Sequence, residues 1–297
     1  KDSLVSLNQE LMLRKEIEKE QLAKEAQEEV MTLFVWIGII LAILSLVMVF
    51  AYLDKRKNSL LITKQKEEVE HQKELVEEKN REVTDSIFYA KRLQQAILPP
   101  IHQIQKALPN HFIYFSPKDI VSGDFYWMEA SDKKVLFAAA DCTGHGVPGA
   151  MVSVIGANGL KRCVREFALE NPAEILDKLS HLVEETFDQS ADDVKDGMDI
   201  ALCSLEGTKL TYAGANNPLW VVRKKSISPS LEIIHNPSPT PPTVSTDNID
   251  LFEIKADKQP VGKHDSRKPF KSWEIQLEKG DNVYVFSDGY ADQFGGV

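Results

Sequence analysis

The longest apolar run in the chain covers residues 30–53, where no charged residue occurs. At about 1.5 Å per residue, a helix of this length is long enough to cross the ~30 Å hydrocarbon layer of a bilayer. Trp36 and Tyr52, near its two ends, are of the residue types that lie at membrane interfaces. The pattern predicts a transmembrane helix over residues 30–53. A buried core helix is the less favoured alternative, because a soluble helix of this length usually has a polar face.

The charges on either side of this run predict its orientation. Lys55, Arg56 and Lys57 follow it directly, whereas residues 25–29 before it contain no basic residue. Because Lys and Arg are enriched on the cytoplasmic side, we expect a single-pass protein of the inner (cytoplasmic) membrane with its C-terminal part in the cytoplasm. Residues 1–29 are charged and are predicted to be helical, which is consistent with the end of an outer sensor domain.

Apolar residues recur every seven positions after the membrane-spanning run. They occupy one seam position of a heptad through six repeats: Ile62, Val69, Val76, Val83, Ala90 and Ile97. The companion position three residues later is mostly polar: Gln65, Gln72, Lys79, Ser86 and Leu93. This pattern predicts a parallel coiled coil with a weak core over residues 54–100, and therefore a homodimer. A single solvated helix is the alternative. Pro99 and Pro100 are expected to end the helix.

From about residue 112 onwards, short apolar runs alternate with helical stretches. Helices are predicted over residues 147–167 and directly after Asn171-Pro172, which is a capping signal. Strands are predicted over residues 134–140, 200–205, 209–213, 219–223, 251–254, 273–277 and 282–286. Two helices in a row between groups of antiparallel strands predict an α+β domain over residues 101–297, not a parallel doubly wound sheet.

The charge and cysteine content of the chain limit which partners and cellular compartments are expected. Lys and Arg number 35 against 45 Asp and Glu, which gives a net charge of −10. An acidic chain repels the phosphate backbone, so no nucleic-acid partner is expected. The spacing of Cys142, Cys163 and Cys203 fits neither a zinc site nor a disulfide framework, and we expect them to be small buried apolar residues in a reducing compartment.

Three aspartates near glycines are the candidate chemical residues. Asp124 lies in Ser-Gly-Asp-Phe-Tyr, Asp141 ends a predicted strand and opens Asp-Cys-Thr-Gly-His-Gly, and Asp288 follows the last predicted strand in Ser-Asp-Gly. Carboxylates held at strand boundaries can reach a cleft, and oxygen ligands suit Mg²⁺ or Mn²⁺. Each Asp-Gly pair is also a common turn, so that interpretation remains open. His145, between two glycines, is interpreted as a loop histidine and not as a metal ligand.

Four stretches of the chain resemble one known family in order and spacing. They are residues 122–126, 140–150, 212–219 and 286–289. Their sequences are Ser-Gly-Asp-Phe-Tyr, Ala-Asp-Cys-Thr-Gly-His-Gly-Val-Pro-Gly-Ala, Tyr-Ala-Gly-Ala-Asn-Asn-Pro-Leu and Phe-Ser-Asp-Gly. Together they resemble the SpoIIE branch of the PPM-type (protein phosphatase 2C-like) serine/threonine phosphatases over about residues 85–297. Residues 87–100 resemble the linker helix that enters these domains.

The resemblance implies a two-sheet antiparallel β-sandwich flanked by helices, with two Mn²⁺ or Mg²⁺ ions. Asp141 would bridge the ions, the Cys142 backbone carbonyl would add a ligand, Asp288 would bind one ion, and Asp124 would bind directly or through water. These three aspartates are the expected catalytic residues. The family carries a final Asp-Asp strand that is not reached by Val297, so we expect the phosphatase domain to be C-terminally incomplete. Asp199 is not expected to replace that ligand, because the position is not acidic across the family.

The function implied is that of a membrane-anchored bacterial signalling phosphatase. It would hydrolyse phosphoserine or phosphothreonine on a regulatory partner protein by metal activation of water. The alternative is a catalytically silent phosphatase-fold scaffold that binds a regulator. The presence of all three aspartates favours the enzyme, whereas the missing final ligand favours the scaffold.

Overall fold

The computed structural model describes residues 2–131, 133–187, 196–228, 230–234, 240–264 and 266–290. The chain divides into two compact units, Lys1–Asn80 and Arg81–Val297. The expectation of an incomplete C-terminal domain concerns residues 291–297 and what would follow them, which lie outside the described residues.

The first helix, α1, runs without interruption from Asp2 to Ile97. Its predicted end before Pro99-Pro100 is confirmed, since proline lacks a backbone N–H and disfavours the helical conformation in the residue before it. The most apolar window of this helix has a mean hydropathy of 2.9 and contains no buried residue. By length and composition alone, the helix is able to cross a membrane. The predicted seam residues from Ile62 to Val83 are exposed along it.

After α1, the second unit consists of a short helix, two strands, two longer helices and a further series of strands. After α2 (Ile101–Ala107) come β1 (Phe125–Ala130), β2 (Val135–Cys142), α3 (Gly146–Arg165) and α4 (Pro172–Phe187). The remaining strands are β3 (Gly197–Glu206), β4 (Lys209–Ala215), β5 (Leu219–Lys224), β6 (Glu232–Ile233), β7 (Val244–Ser245), β8 (Ile249–Ile254), β9 (Val261–Gly262), β10 (Trp273–Gln276) and β11 (Asn282–Tyr284). A short 3₁₀ helix, Asp288–Tyr290, follows.

The strands form two antiparallel sheets, which confirms the predicted α+β architecture. One sheet has the order β1-β2-β3-β4-β10-β6 with β9 added to β3, and the other has the order β11-β5-β8-β7. One hydrophobic cluster joins α3 and α4 to the larger sheet through residues such as Leu160, Leu179 and Leu202. A second cluster, which includes Tyr212 and Phe252, packs the two sheets against each other. The sandwich therefore has two apolar layers.

The local sequence explains why α3 and α4 form and how closely they pack. The N–H of Ala173 donates to Asn171 Oδ1 at 2.9 Å, which is the predicted N-cap of α4. One apolar face of this helix is buried: Ile175, Leu176, Leu179, Leu182 and Val183. On α3, a Cβ at Gly159 would lie 2.5 Å from Leu179 Cδ1, so a larger residue there would require the Leu179 side chain to move.

Four strands were not predicted from the sequence. Residues 125–130 form β1, whose two faces are both at least partly covered, so the run lacks the polar alternation of a half-buried strand. The strand beside Asp124 consequently follows this residue instead of preceding it. The other three, β6, β7 and β9, have two residues each and are too short to carry a pattern.

Candidate metal centre

The three predicted aspartates converge near the start of β1, the end of β2 and the segment that follows β11. Asp141 is the penultimate residue of β2, and Asp124 directly precedes β1, whose Phe125 pairs with Ala140. Asp288 comes from the other sheet, after β11, at the start of the 3₁₀ helix. The carboxyl group of Asp141 is within hydrogen-bond contact of both Asp288 and Asp124. The structure thus brings together three residues that are widely separated in the chain.

This convergence concentrates negative charge, and no basic side chain among the described residues acts on Asp141. Burial raises the pKa of Asp141 from 3.8 to about 8, with further contributions from the contact with Asp288 and from the charge of Asp124. All the neighbouring groups that act on it are acidic. Three carboxylates in contact cannot all be ionised at low cost unless a cation compensates them. Their oxygen donors are of the type that Mg²⁺ and Mn²⁺ prefer.

Asp124 is held by hydrogen bonds at both its side chain and its backbone. Ser287 Oγ donates to Asp124 Oδ2 at 2.8 Å, and the N–H of Asp124 donates to Ser122 Oγ at 3.0 Å. A Cβ at Gly123 would lie 2.7 Å from the carbonyl oxygen of Gly144, so only glycine permits this approach of the two loops. The Asp124 loop is therefore fixed against the loop that follows Asp141.

Among the described residues, no group of three or more His, Cys, Asp or Glu side chains meets the geometry of a preformed metal site. Asp124 and Asp288 contact Asp141 directly instead. The donor chemistry and the uncompensated charge nevertheless fit a divalent cation, whose binding would separate carboxyl groups that now contact one another.

Cys142 has its side chain in the core and its backbone at the site. The thiol is buried, and its carbonyl oxygen is 3.0 Å from where a Cβ of Gly123 would lie. Burial, followed by the charges of Asp141 and Asp124, raises the pKa of the thiol well above its usual value. The thiol therefore stays protonated at neutral pH, and only the backbone carbonyl is suited to act as a ligand.

His145 lies at the N-terminus of α3 with an exposed ring. Its Nδ1 is 3.5 Å from Asp119 Oδ2, and no contact with the three aspartates is described. Its interpretation as a loop histidine agrees with this position.

One acidic residue that the sequence analysis set aside lies beside the three aspartates. Asp199 on β3 pairs directly with Asp141 on β2. Its Oδ1 accepts a hydrogen bond from Asn216 Nδ2 at 2.7 Å. The pKa of Asp199 is raised, mainly by burial and to a smaller extent by the charge of Asp288. The hydrogen bond from Asn216 opposes this shift. Sequence patterns do not reveal the register of β2 and β3, so this proximity was missed.

A buried glutamine near the end of α1 also reaches the site. The side chain of Gln94 is only 6% exposed. Its Nε2 donates to the Ser122 carbonyl oxygen at 2.5 Å and to Ser153 Oγ on α3 at 2.8 Å. Its Oε1 accepts from the N–H of Ser122 at 3.1 Å. Because Ser122 Oγ holds the backbone of Asp124, Gln94 links α1 and α3 to the Asp124 loop.

Comparison with known proteins shows the family to which the chain belongs. The family model described as Stage II sporulation protein E (SpoIIE) matches residues 131–295, more than half of the chain. The chain belongs to the SpoIIE family. This SpoIIE family member is also similar to the solved SiaA-PP2C domain of Pseudomonas aeruginosa, with 27% identity and a TM-score of 0.57. That match covers 73% of this chain and 76% of the other.

A second solved structure is similar at lower identity. It contains the PP2C phosphatase domain and a fragment of the regulatory domain of SpoIIE from Bacillus subtilis. The identity is 15%, the TM-score is 0.41, and the match covers 57% of this chain and 42% of the other. No curated protein sequence matches the chain. The SpoIIE family membership and the PP2C-like fold support a signalling phosphatase of the protein serine/threonine class.

Proposed function

We propose that the chain is a membrane-anchored bacterial phosphatase that hydrolyses phosphoserine or phosphothreonine on a regulatory partner protein. The observation that carries this proposal is the convergence of Asp124, Asp141 and Asp288 from two sheets, where only acidic groups among the described residues act on Asp141. Such a site repels a phosphorylated substrate unless cations are bound first. A scaffold that only binds a regulator would not need this uncompensated charge.

The residues of the site have distinct roles in the proposed reaction. Asp141, Asp124, Asp288 and the Cys142 carbonyl would hold two Mn²⁺ or Mg²⁺ ions. When bound, these ions activate water and neutralise the phosphoryl group. The described contacts restrain one of these ligands, Asp124, before a metal binds: Ser287 orients its carboxylate, and Gly123 allows its loop to lie against the backbone after Asp141. Pre-positioned ligands lose less freedom when the charge develops in the transition state.

Phosphate release from a phosphoserine peptide tests the proposed function. The full chain in detergent should release phosphate with Mn²⁺ or Mg²⁺, and activity should disappear with a chelator and return when the metal is restored. Activity that is unaffected by chelation would contradict the metal-dependent mechanism. Stoichiometric binding of the phosphopeptide without turnover, at saturating metal, would instead support the scaffold.

The N-terminal part of the chain would anchor the protein in the membrane and pair it with a second copy. Residues 30–53 would span the inner membrane, residues 1–29 would end an outer domain, and residues 54–100 would form a dimeric coiled coil leading to the phosphatase domain in residues 101–297. The uninterrupted helix from Asp2 to Ile97 and the hydropathy of its apolar window support this arrangement. The exposed apolar seam from Ile62 to Val83 would be covered by the second copy.

Cysteine cross-linking in membranes tests both the anchor and the dimer. Val76→Cys lies on the seam and should give a disulfide-linked dimer in the membrane fraction upon oxidation. Glu78→Cys, two residues later and on the opposite side of the helix, is the matched control and should remain monomeric. Release of the chain by an alkaline wash without detergent would exclude the anchor, and equal cross-linking of both variants would exclude the proposed seam.

A further inference from the structure

A fourth carboxylate, that of Asp199, lies on the same face of the larger sheet as Asp141. The two residues are direct partners in the antiparallel pair of β2 and β3, where the next pair is Cys142 with Met198. Directly opposed residues on antiparallel strands point to the same face, with their Cβ atoms about 4.5–5.5 Å apart. Asp199 is therefore placed next to the residue that contacts both other aspartates.

Among the described residues, one oxygen of the Asp199 carboxylate has no protein partner. Oδ1 accepts the hydrogen bond from Asn216 at 2.7 Å. Within the described part of the chain, Oδ2 receives no hydrogen bond, and the groups that act on this carboxylate are Asn216 and Asp288, neither of which is basic. A half-buried carboxylate of this kind is costly unless a cation or ordered water completes its partners.

The backbone of Asn216, whose side chain donates to Asp199, is held in place by its conformation and by hydrogen bonds. Its backbone has a φ of +55°, a left-handed conformation that asparagine tolerates better than most residues. The N–H of Asn216 donates to the carbonyl oxygen of Asp257 at 2.9 Å, and the N–H of Asp257 donates to that of Gly214 at 3.0 Å. The side chain that holds Asp199 therefore extends from a turn at the end of β4 whose backbone is fixed by hydrogen bonds. Hydrogen bonds of this kind orient metal ligands in proteins.

We propose that Asp199 is a further metal ligand of this site and that Asn216 is its positioning residue. The inference rests on the proposed metal-dependent function. It assigns a role to an acidic residue that is not among the ligands implied by the family resemblance. In this arrangement Oδ2 of Asp199 faces a cation while Oδ1 stays bound to Asn216. An additional carboxylate increases the affinity of an oxygen site for a divalent ion, because affinity depends on the number of charged ligands.

Calorimetric titration of the full chain with Mn²⁺ tests this proposal independently of turnover. Asp199→Asn keeps the shape of the side chain and an oxygen that can accept from Asn216, but removes the charge. It should weaken the binding of at least one Mn²⁺ ion by about 10–100-fold. Asn216→Ala leaves Asp199 in place without its orienting bond and should weaken binding by about 10-fold. This second variant keeps the test valid if the first one folds poorly.

Asp196→Asn is the matched control. Asp196 is also acidic and lies three residues before Asp199, but its Oδ1 accepts from Thr143 Oγ1 at 3.0 Å. The same charge is removed, so a general electrostatic effect would weaken Mn²⁺ binding equally in both variants. We expect the affinity of Asp196→Asn to stay within about 2-fold of the unmodified chain, since long-range charge effects are screened by salt.

Mn²⁺ binding by Asp141→Asn distinguishes a failure of this inference from a failure of the proposed function. If Asp141→Asn loses Mn²⁺ binding while Asp199→Asn binds as the unmodified chain does, Asp199 is not a ligand and the proposed metal centre stands. Equal weakening by Asp196→Asn and Asp199→Asn would also overturn the inference. If the unmodified chain binds no Mn²⁺, both the inference and the metal-dependent function are wrong.

Discussion

Asp141→Asn is expected to lower metal-dependent phosphate release by at least about 10³-fold in kcat/KM. Asp141 is the only one of the three predicted aspartates for which contacts with both of the others are described. Its loss would remove the shared ligand of two ions, whose charge stabilisation amounts to several kcal/mol in the transition state, and about 4 kcal/mol corresponds to this factor. The measurement is phosphate release from a phosphoserine peptide as a function of Mn²⁺ concentration.

Although Asp141→Asn should lower activity, it is expected to raise the stability of the metal-free chain at neutral pH. The raised pKa of Asp141, about 8, means that the folded state holds this proton more tightly than the unfolded state does. The stability contributed by the protonated carboxyl is therefore fully present below about pH 4 and is lost as the pH rises through about 8. Asparagine cannot ionise, so Asp141→Asn should flatten this pH dependence and raise the melting temperature at neutral pH without metal.

Thermal unfolding with and without Mn²⁺ measures both consequences. In the unmodified chain the metal-induced increase in melting temperature should grow as the pH rises towards and above about 8, because the cation competes with the proton on Asp141. In Asp141→Asn the increase should be small at every pH. A variant that retains full activity and a full metal-induced increase would show that Asp141 is not the shared ligand.

Gln94→Leu is expected to reduce both catalysis and stability, although Gln94 is not predicted to touch metal or substrate. Leucine would leave the N–H and carbonyl of Ser122 without the partners that Gln94 supplies, at a cost of about 1–3 kcal/mol for each buried group. We expect a loss of about 2–4 kcal/mol in the free energy of unfolding. A displaced Asp124 loop should also lower kcat by about 10–100-fold, since small displacements of a site have effects of this size.

The neighbouring glutamine provides a matched control for this change. Gln95→Leu alters the same residue type one position later, where the side chain is exposed, and should change neither stability nor kcat appreciably. Gln94→Glu keeps the acceptor for the Ser122 N–H but loses both donated bonds, so its effect should be intermediate. If Gln94→Leu lowers stability but leaves kcat and Mn²⁺ affinity unchanged, the contact supports the fold without positioning Asp124.

Much of this protein can be read from local sequence patterns. The end of α1 before Pro99, the buried face and N-cap of α4, and strands β2, β3 and β11 beside the site follow from periodicity, capping and turn residues. The three aspartates stood out because each lies near a glycine at a strand boundary. These features depend on residues within a few positions of one another, which is the range over which side-chain periodicity reports burial.

The composition of the site depends on contacts between distant parts of the chain. Ser287 reaches Asp124 across 163 positions, and Gln94 reaches Ser153 across 59. The pairing of Asp199 with Asp141 depends on the register of β2 against β3, and a shift of one residue would turn one of the two side chains to the other face. The sequence by itself therefore determined α1, α3 and α4, most strands and the candidate aspartates. Only the tertiary structure decided that Asp199, Asn216 and Gln94 join them, because strand register and helix docking are set by packing between elements and not by the residues nearby in the chain.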